Sequence, residues 1–212
     1  ASAQLLYEQF LKVYPDSPLL PNAWLGLGRT YADQANHRNA LQAFDRLAEG
    51  FPGDSTSVVA LLDVGDSWRA VGMPRKALSA YTSCARQTAD STLKASADLR
   101  IAGIYEADLG WNDRAIQAYN GLIDGAQREY ASQAQFGLAR TFERAGQTNL
   151  ALREYQAYLR VYPGGPQATD AEVRIRYLRE FGADKASGSA EVAELLSALP
   201  QIRASSDALH LI

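Results

Sequence analysis

Cysteine is nearly missing from this chain of 212 residues: Cys84 is the only one, so no intramolecular disulfide can form. A single thiol excludes neither an oxidising nor a reducing compartment. Histidine is equally scarce, with only His37 and His210. Neither has a second metal-binding side chain at ligand spacing, so no metal site is expected, and His37 reads as a solvated residue of the polar turn Gln34-Ala35-Asn36-His37-Arg38. Charge of one sign is lacking too: 21 Lys+Arg stand against 24 Asp+Glu, a net charge of −3. Without a basic block to track a phosphate backbone, nucleic acid is not expected as a partner. No stretch approaches the roughly 18 apolar residues of a membrane span, and the first residues lack the charged start and apolar core of a signal peptide. Met73 is the sole methionine, and with none at position 1 the chain is expected to have been excised or processed.

Motifs that would carry catalysis are missing as well. Gly26-x-Gly28 follows no strand pattern, and Gly50-Phe51-Pro52-Gly53-Asp54-Ser55 lacks the lysine of a phosphate loop. Cys84 falls where a helix packs small residues, which makes a buried, inert thiol the expectation. The acidic pairs Asp63/Asp66 and Glu106/Asp108 lie on helical stretches without a convergent nucleophile or base, so they read as solvated or surface-lining groups. A non-catalytic protein without a cofactor follows.

What is present is a repeat, on a composition 47% hydrophobic and so sufficient for a sizeable core. Trp24-x-x-Leu27-Gly28-x-x-Tyr31 is followed by Ala40, Phe44 and Pro52. The skeleton returns as Leu61, Val64, Gly65, Trp68, Ala77 and Tyr81, with Gly28 to Gly65 and Ala40 to Ala77 both stepping by 37 residues. A third copy reads Leu99, Ala102, Gly103, Ala115 and Tyr119, with Glu106 at the aromatic place and Tyr105 one residue early. A fourth reads Leu138, Ala139, Phe142, Ala151, Tyr155 and Pro163. Gly28, Gly65, Gly103 and Ala139 are small where the two helices of a copy should cross. Gly72, Gly110 and Gly146, with Ala35 in the first copy, mark left-handed ends of the first helices. The large residues read as seam packing.

These motifs resemble the tetratricopeptide repeat (TPR), whose pattern W-x2-L-G-x2-Y, A-x3-F, P is matched by the first copy. The resemblance covers about residues 1–181 and implies an all-α, right-handed superhelical solenoid of antiparallel helix pairs. Ala3, Tyr7 and Pro15 take second-helix positions, giving a half repeat over 1–17, then repeats at about 21–54, 58–91, 96–129 and 132–165. A capping helix over 168–181 presents Ala171, Ile175, Leu178 and Phe181 on one face. Residues 182–189 read as a linker, and 190–212 as a short amphipathic helix (Val192, Leu195, Leu196, Leu199, stopped by Pro200) and tail. The run Phe10-Leu11-x-x-Tyr14-Pro15-Asp16-Ser17-Pro18, with Tyr158-Leu159-x-x-Tyr162-Pro163, is similar to bacterial cell-envelope TPR scaffolds, the periplasmic Tol-associated coordinator and barrel-assembly lipoprotein type. That resemblance implies a periplasmic or envelope location, with the cytoplasm as the alternative.

In a TPR array the first helices line a concave groove, and the resemblance implies that template positions 5, 9 and 12 face a ligand. They hold Leu25, Leu62, Arg100 and Phe136, then Arg29, Asp66, Ile104 and Arg140, then Arg69 and Glu143 beside two alanines. Acids among the arginines, without lysine or asparagine, argue against a carboxylate clamp. Phe136 is expected to point into the groove as an anchor, unless the fourth repeat is rotated so that it packs inside. The implied function is a scaffold that seats a peptide or helix of a protein partner. Two alternatives are an assembly element whose tail docks on its own or a neighbouring solenoid, which would make a homo-oligomer, and an interaction domain of a larger regulatory enzyme.

Overall fold

The computed structural model describes residues 2–125 and 128–182, and every regular element among them is helical. The helices are α1 (Ser2–Val13), α2 (Leu20–Asp33), α3 (His37–Gly50), α4 (Ser55–Ala70), α5 (Pro74–Gln87) and α6 (Ser91–Gly103). Then come a π-helical turn (Ile104–Asp108), α7 (Asn112–Gly125), α8 (Arg128–Arg144), α9 (Thr148–Val161) and α10, residues 168–182. The linker from 183 onward and the 190–212 segment lie outside the described residues.

Local chemistry sets the helix starts. The side chains of Asn36, Asp54 and Asp90 accept backbone N–H groups at the starts of α3, α4 and α6, while Pro21 and Pro74 occupy first-turn positions of α2 and α5. The ends are set by left-handed residues. Ala35, Gly72, Gly110 and Gly146 have φ of 58°, 74°, 65° and 72°. Around Ala35, its N–H donates to Ala32 O at 2.8 Å and the Asn36 N–H to Tyr31 O at 2.9 Å, and the same pair of bonds recurs around Gly72 and Gly146. Three helix ends thus share one Schellman-type closure. Ala35 makes it with a Cβ that the conformation penalises by about 1–2 kcal/mol. Ala35→Gly removes that strain but adds freedom to the unfolded chain, so we expect a net gain of about 0.5–1 kcal/mol, read as a higher denaturant midpoint at unchanged slope.

The chain divides into two compact units, with the boundary inside α8 between Ala134 and Gln135. In the first unit α2 packs on α3, α4 on α5 and α6 on α7, and α4 also packs on α2 and α3. One core cluster joins Leu25, Ala40, Phe44 and Leu47 of the first pair to Ala60 of α4, and another joins Ala77 and Tyr81 to Ile104. In the second unit, Ala139, Ala151, Tyr155 and Tyr158 bury Ala171, Ile175 and Leu178 of α10. Each cluster has the same construction: two helices of a pair close over the first helix of the next.

The third repeat corrects the sequence register. A Cβ on Gly28 would overlap the Phe44 ring and one on Gly65 the Tyr81 ring, as expected of crossing residues, whereas a Cβ on Gly103 would meet nothing within 4 Å. The crossing place belongs to Ala102, which is fully buried. Ile104, two residues on, is fully buried like Ser67 and Thr141 at the corresponding places. Gly28, Gly65, Ala102 and Ala139 then stand at a constant 37-residue step, and so do Tyr31, Trp68, Tyr105 and Phe142. The displaced residue is absorbed by the π turn, where the Leu109 N–H donates to Ile104 O at 3.0 Å. The Trp111 N–H reaches back six residues to Tyr105 O, where the other three ends reach back five.

Two details at the far end also differ from expectation. Phe181 is exposed, not on the buried face of α10. Gly182, assigned to the linker, is helical and buried where a Cβ would press on Thr148.

Candidate functional site

The residues read as groove-lining separate into two groups. Leu25 and Ile104 are core residues, at 9% and 0% exposure, and line no surface. Leu62 packs against the Ala77–Tyr81–Ile104 cluster. Phe136 is half-buried, its ring edge-on to Tyr155 and Tyr158 with centroids 5.4 and 5.8 Å away, so it belongs to the packing of the second unit and does not stand free as an anchor. With the corrected register, Leu99 and not Arg100 corresponds to Leu25, Leu62 and Phe136. An apolar residue therefore holds that place in every repeat.

The charged members come together. In the first unit Arg29 on α2 binds Asp63 on α4 at 2.9 Å, Arg100 on α6 binds Asp66 on α4 at 3.1 Å, and Arg69 on α4 binds Asp108 in the π turn at 2.9 Å. These rungs tie three successive first helices along one surface. The sequence placed Asp63 and Asp108 among solvated or groove-lining acids, without partners. A signal was available, since both Arg29 to Asp63 and Asp66 to Arg100 span 34 residues. Burial raises the Asp63 carboxyl above its ordinary value even though Arg29 pulls it down. The other groups of the ladder are more open, and exposed pairs of this kind contribute only about 0–1 kcal/mol each. Their larger effect is to occupy the arginines: Arg29, Arg69 and Arg100 each face an aspartate. In the second unit Glu143 binds Arg174 of α10 at 3.2 Å, and Arg140 is half-buried on α8.

A second recurring device ties the pairs internally. In three of the pairs a tyrosine of the second helix donates its hydroxyl to an acid of the first helix or of the π turn that ends it: Tyr81 to Asp66 at 2.5 Å, Tyr119 to Glu106 at 2.8 Å and Tyr155 to Glu143 at 2.8 Å, while α3 has Phe44 at that place. Burial first, and the neighbouring carboxylate second, push the Tyr81 and Tyr155 hydroxyls above the ordinary tyrosine value. Because the folded value is raised, their stabilisation is complete below the unfolded value of about 10 and is lost as pH climbs above it, by about 1.4 kcal/mol per pH unit for each. Melts in alkaline buffer should show this decline together with late tyrosinate absorbance, and Tyr81→Phe should reduce the slope.

Cys84 is fully buried, and burial pushes its thiol up. His37 is not fully solvated: its Nδ1 is covered and meets no hydrogen-bond partner, while His210 lies outside the described residues. Among the described residues no His/Cys/Asp/Glu group could hold a metal ion, and no helix is long and apolar enough to cross a membrane.

Comparison with known proteins agrees with this architecture. Residues 1–55 and residues 133–165 each match a family model described as Tetratricopeptide repeat. No curated protein is significantly similar in sequence. Among solved structures, a tetratricopeptide repeat protein from Parabacteroides merdae superposes with a TM-score of 0.68 at 16% identity, covering 92% of this chain and 72% of the other. A crystal structure of MamA protein gives 0.59 at 16% identity over 82% of this chain and 96% of that one, and a second MamA structure 0.53 at 17% over 76% and 97%. At such identity the likeness is one of fold. Residues 1–55 and 133–165 thus match tetratricopeptide repeats in sequence, and the helix pairs between and after them share the fold of such arrays.

Proposed function

We propose that the surface carrying the Arg29–Asp63, Asp66–Arg100 and Arg69–Asp108 rungs seats a segment of a partner polypeptide. Tetratricopeptide-repeat domains are in general protein-interaction scaffolds, and the ladder is the observation that carries the reading here. It lines one surface of three successive first helices with alternating charge in place of an apolar trough or a basic clamp. A segment of mixed charge can exchange partners with the rungs as it binds, whereas an acidic carboxyl tail would meet Asp63, Asp66 and Asp108 as well as the arginines. Selectivity then comes from charge order and weakens with salt. The test is a photo-crosslinking residue placed at Arg69 or, as a control on a second helix, at exposed Arg46. A discrete adduct from Arg69 alone, suppressed by high salt, is expected; equal labelling from both positions would reverse the assignment. The same proposal puts the protein in the bacterial cell envelope, supported by the Tyr14-Pro15 and Tyr162-Pro163 elements, and recovery in the cytoplasmic fraction would count against it.

A further inference from the structure

The helix α10 is built like the first helix of a fifth repeat. Its Ala171 continues the series Ala23, Ala60, Ala97 and Ala134 at a 37-residue step, and all five are buried. Its inner face is accounted for by Ala171, Ile175 and Leu178. Away from that face it carries a second apolar stripe, Val173, Tyr177 and Phe181, exposed at 55%, 48% and 51%, with the Tyr177 and Phe181 rings 5.2 Å apart. Three large apolar residues at i, i+4 and i+8 form a continuous line about 12 Å long. A helix whose only role was to cap the core against water would carry polar groups there.

We propose that this stripe is covered by the chain's own segment 190–199. Four facts favour that occupant. Its apolar residues Val192, Leu195, Leu196 and Leu199 have the i, i+3, i+4, i+7 spacing of one helical face, and they would span about 10 Å, matching the stripe. The connection 183–189 holds Ala, Ser and Gly among its residues and is no longer than common helix–helix connections. It keeps the segment at high effective concentration beside α10. One charge pairing is also available: Glu191 and Glu194 flank the apolar positions, while exposed Arg176 stands beside the stripe on α10, next to Glu180. The docked segment follows α10 in the chain as a second helix follows α2, α4, α6 and α8, but it covers a different face: Tyr177 stands 37 residues on from Arg140, at the place of Arg29 and Asp66. The packing differs from theirs, because Arg176 stands at the place that Gly28, Gly65, Ala102 and Ala139 keep small for a close crossing.

The test uses the full chain with Tyr177→Cys and Leu196→Cys together. The native Cys84 is buried and does not compete. Mild oxidation is expected to give an intrachain disulfide and a species of monomer mass. A disulfide-linked dimer would assign the stripe to a second copy, and absence of a disulfide would leave it to another protein; either overturns the proposal. Because position 177 is exposed, the fold should tolerate the change. A second variant, Leu195→Asp with Leu196→Asp, is expected to speed amide exchange over 173–181 by about tenfold or more as the cover is lost. Unchanged exchange would equally overturn it.

Discussion

Replacing Gly65 with alanine is expected to destabilise the protein by about 2 kcal/mol, and Gly103→Ala to stabilise it by up to about 1 kcal/mol. Both glycines are helical, so alanine brings the same gain in helix propensity at each. They differ in what the new methyl group meets. At Gly65 it overlaps Cε1, Cδ1 and Cζ of Tyr81. That ring is fully buried and its hydroxyl is held by Asp66, so it cannot swing aside without breaking this hydrogen bond and disturbing its packing. At Gly103 the methyl group meets nothing within 4 Å. Gly28→Ala falls between them, because Phe44 opposite it has no hydroxyl to anchor the ring. Denaturant midpoints of the three variants measure the order directly. Equal effects at positions 65 and 103 would return the crossing place to Gly103.

Phe136→Ala should cost about 3 kcal/mol, at the lower end for phenylalanine because the ring is half-buried. Its loss removes two edge-to-face contacts, with Tyr155 and Tyr158, and opens space beside the cluster that holds α10. A thermal melt should fall by roughly 6–12 °C. Phe136→Leu, which keeps most of the volume, should recover more than half of the loss. A near-silent melt for the alanine variant would place the ring outside the packing.

Most of the fold could be read from spacing, and the error in the third repeat has a physical cause. Glycine serves two purposes in these helices: it permits a close crossing at Gly28 and Gly65, and a left-handed turn at Gly72, Gly110 and Gly146. At Gly103 it serves neither, yet it stands one residue beyond the crossing place and draws the alignment to itself. The series Ala23, Ala60, Ala97, Ala134, Ala171 and Tyr31, Trp68, Tyr105, Phe142 have no such second meaning and keep a constant step. Anchoring on them puts Ala102 in the crossing and Ile104 in the core. The compensating π turn is not visible that way, since it appears only as one extra residue between Tyr105 and Gly110. The candidate surface was half legible: the arginines and Asp66 were singled out, but the pairing was not, because two rungs span 34 residues and the third, Arg69 to Asp108, spans 39, so each joins different positions of its two elements and none keeps the repeat step of 37.

The ladder also makes the repeats non-interchangeable. Arg29 presents a positive charge to the next first helix, which answers with Asp63; Asp66 presents a negative one, answered by Arg100. A tandem duplication of residues 58–91 would therefore bring the first copy's Asp66 against the second copy's Asp63, two acids where the native order has an acid and a base. Duplicating residues 21–54 would bring Arg29 only against Gly26, which has no charge to offend or to satisfy. The array thus carries a charge-written grammar in which one unit can be repeated silently and its neighbour cannot, and slippage during gene duplication would be filtered accordingly.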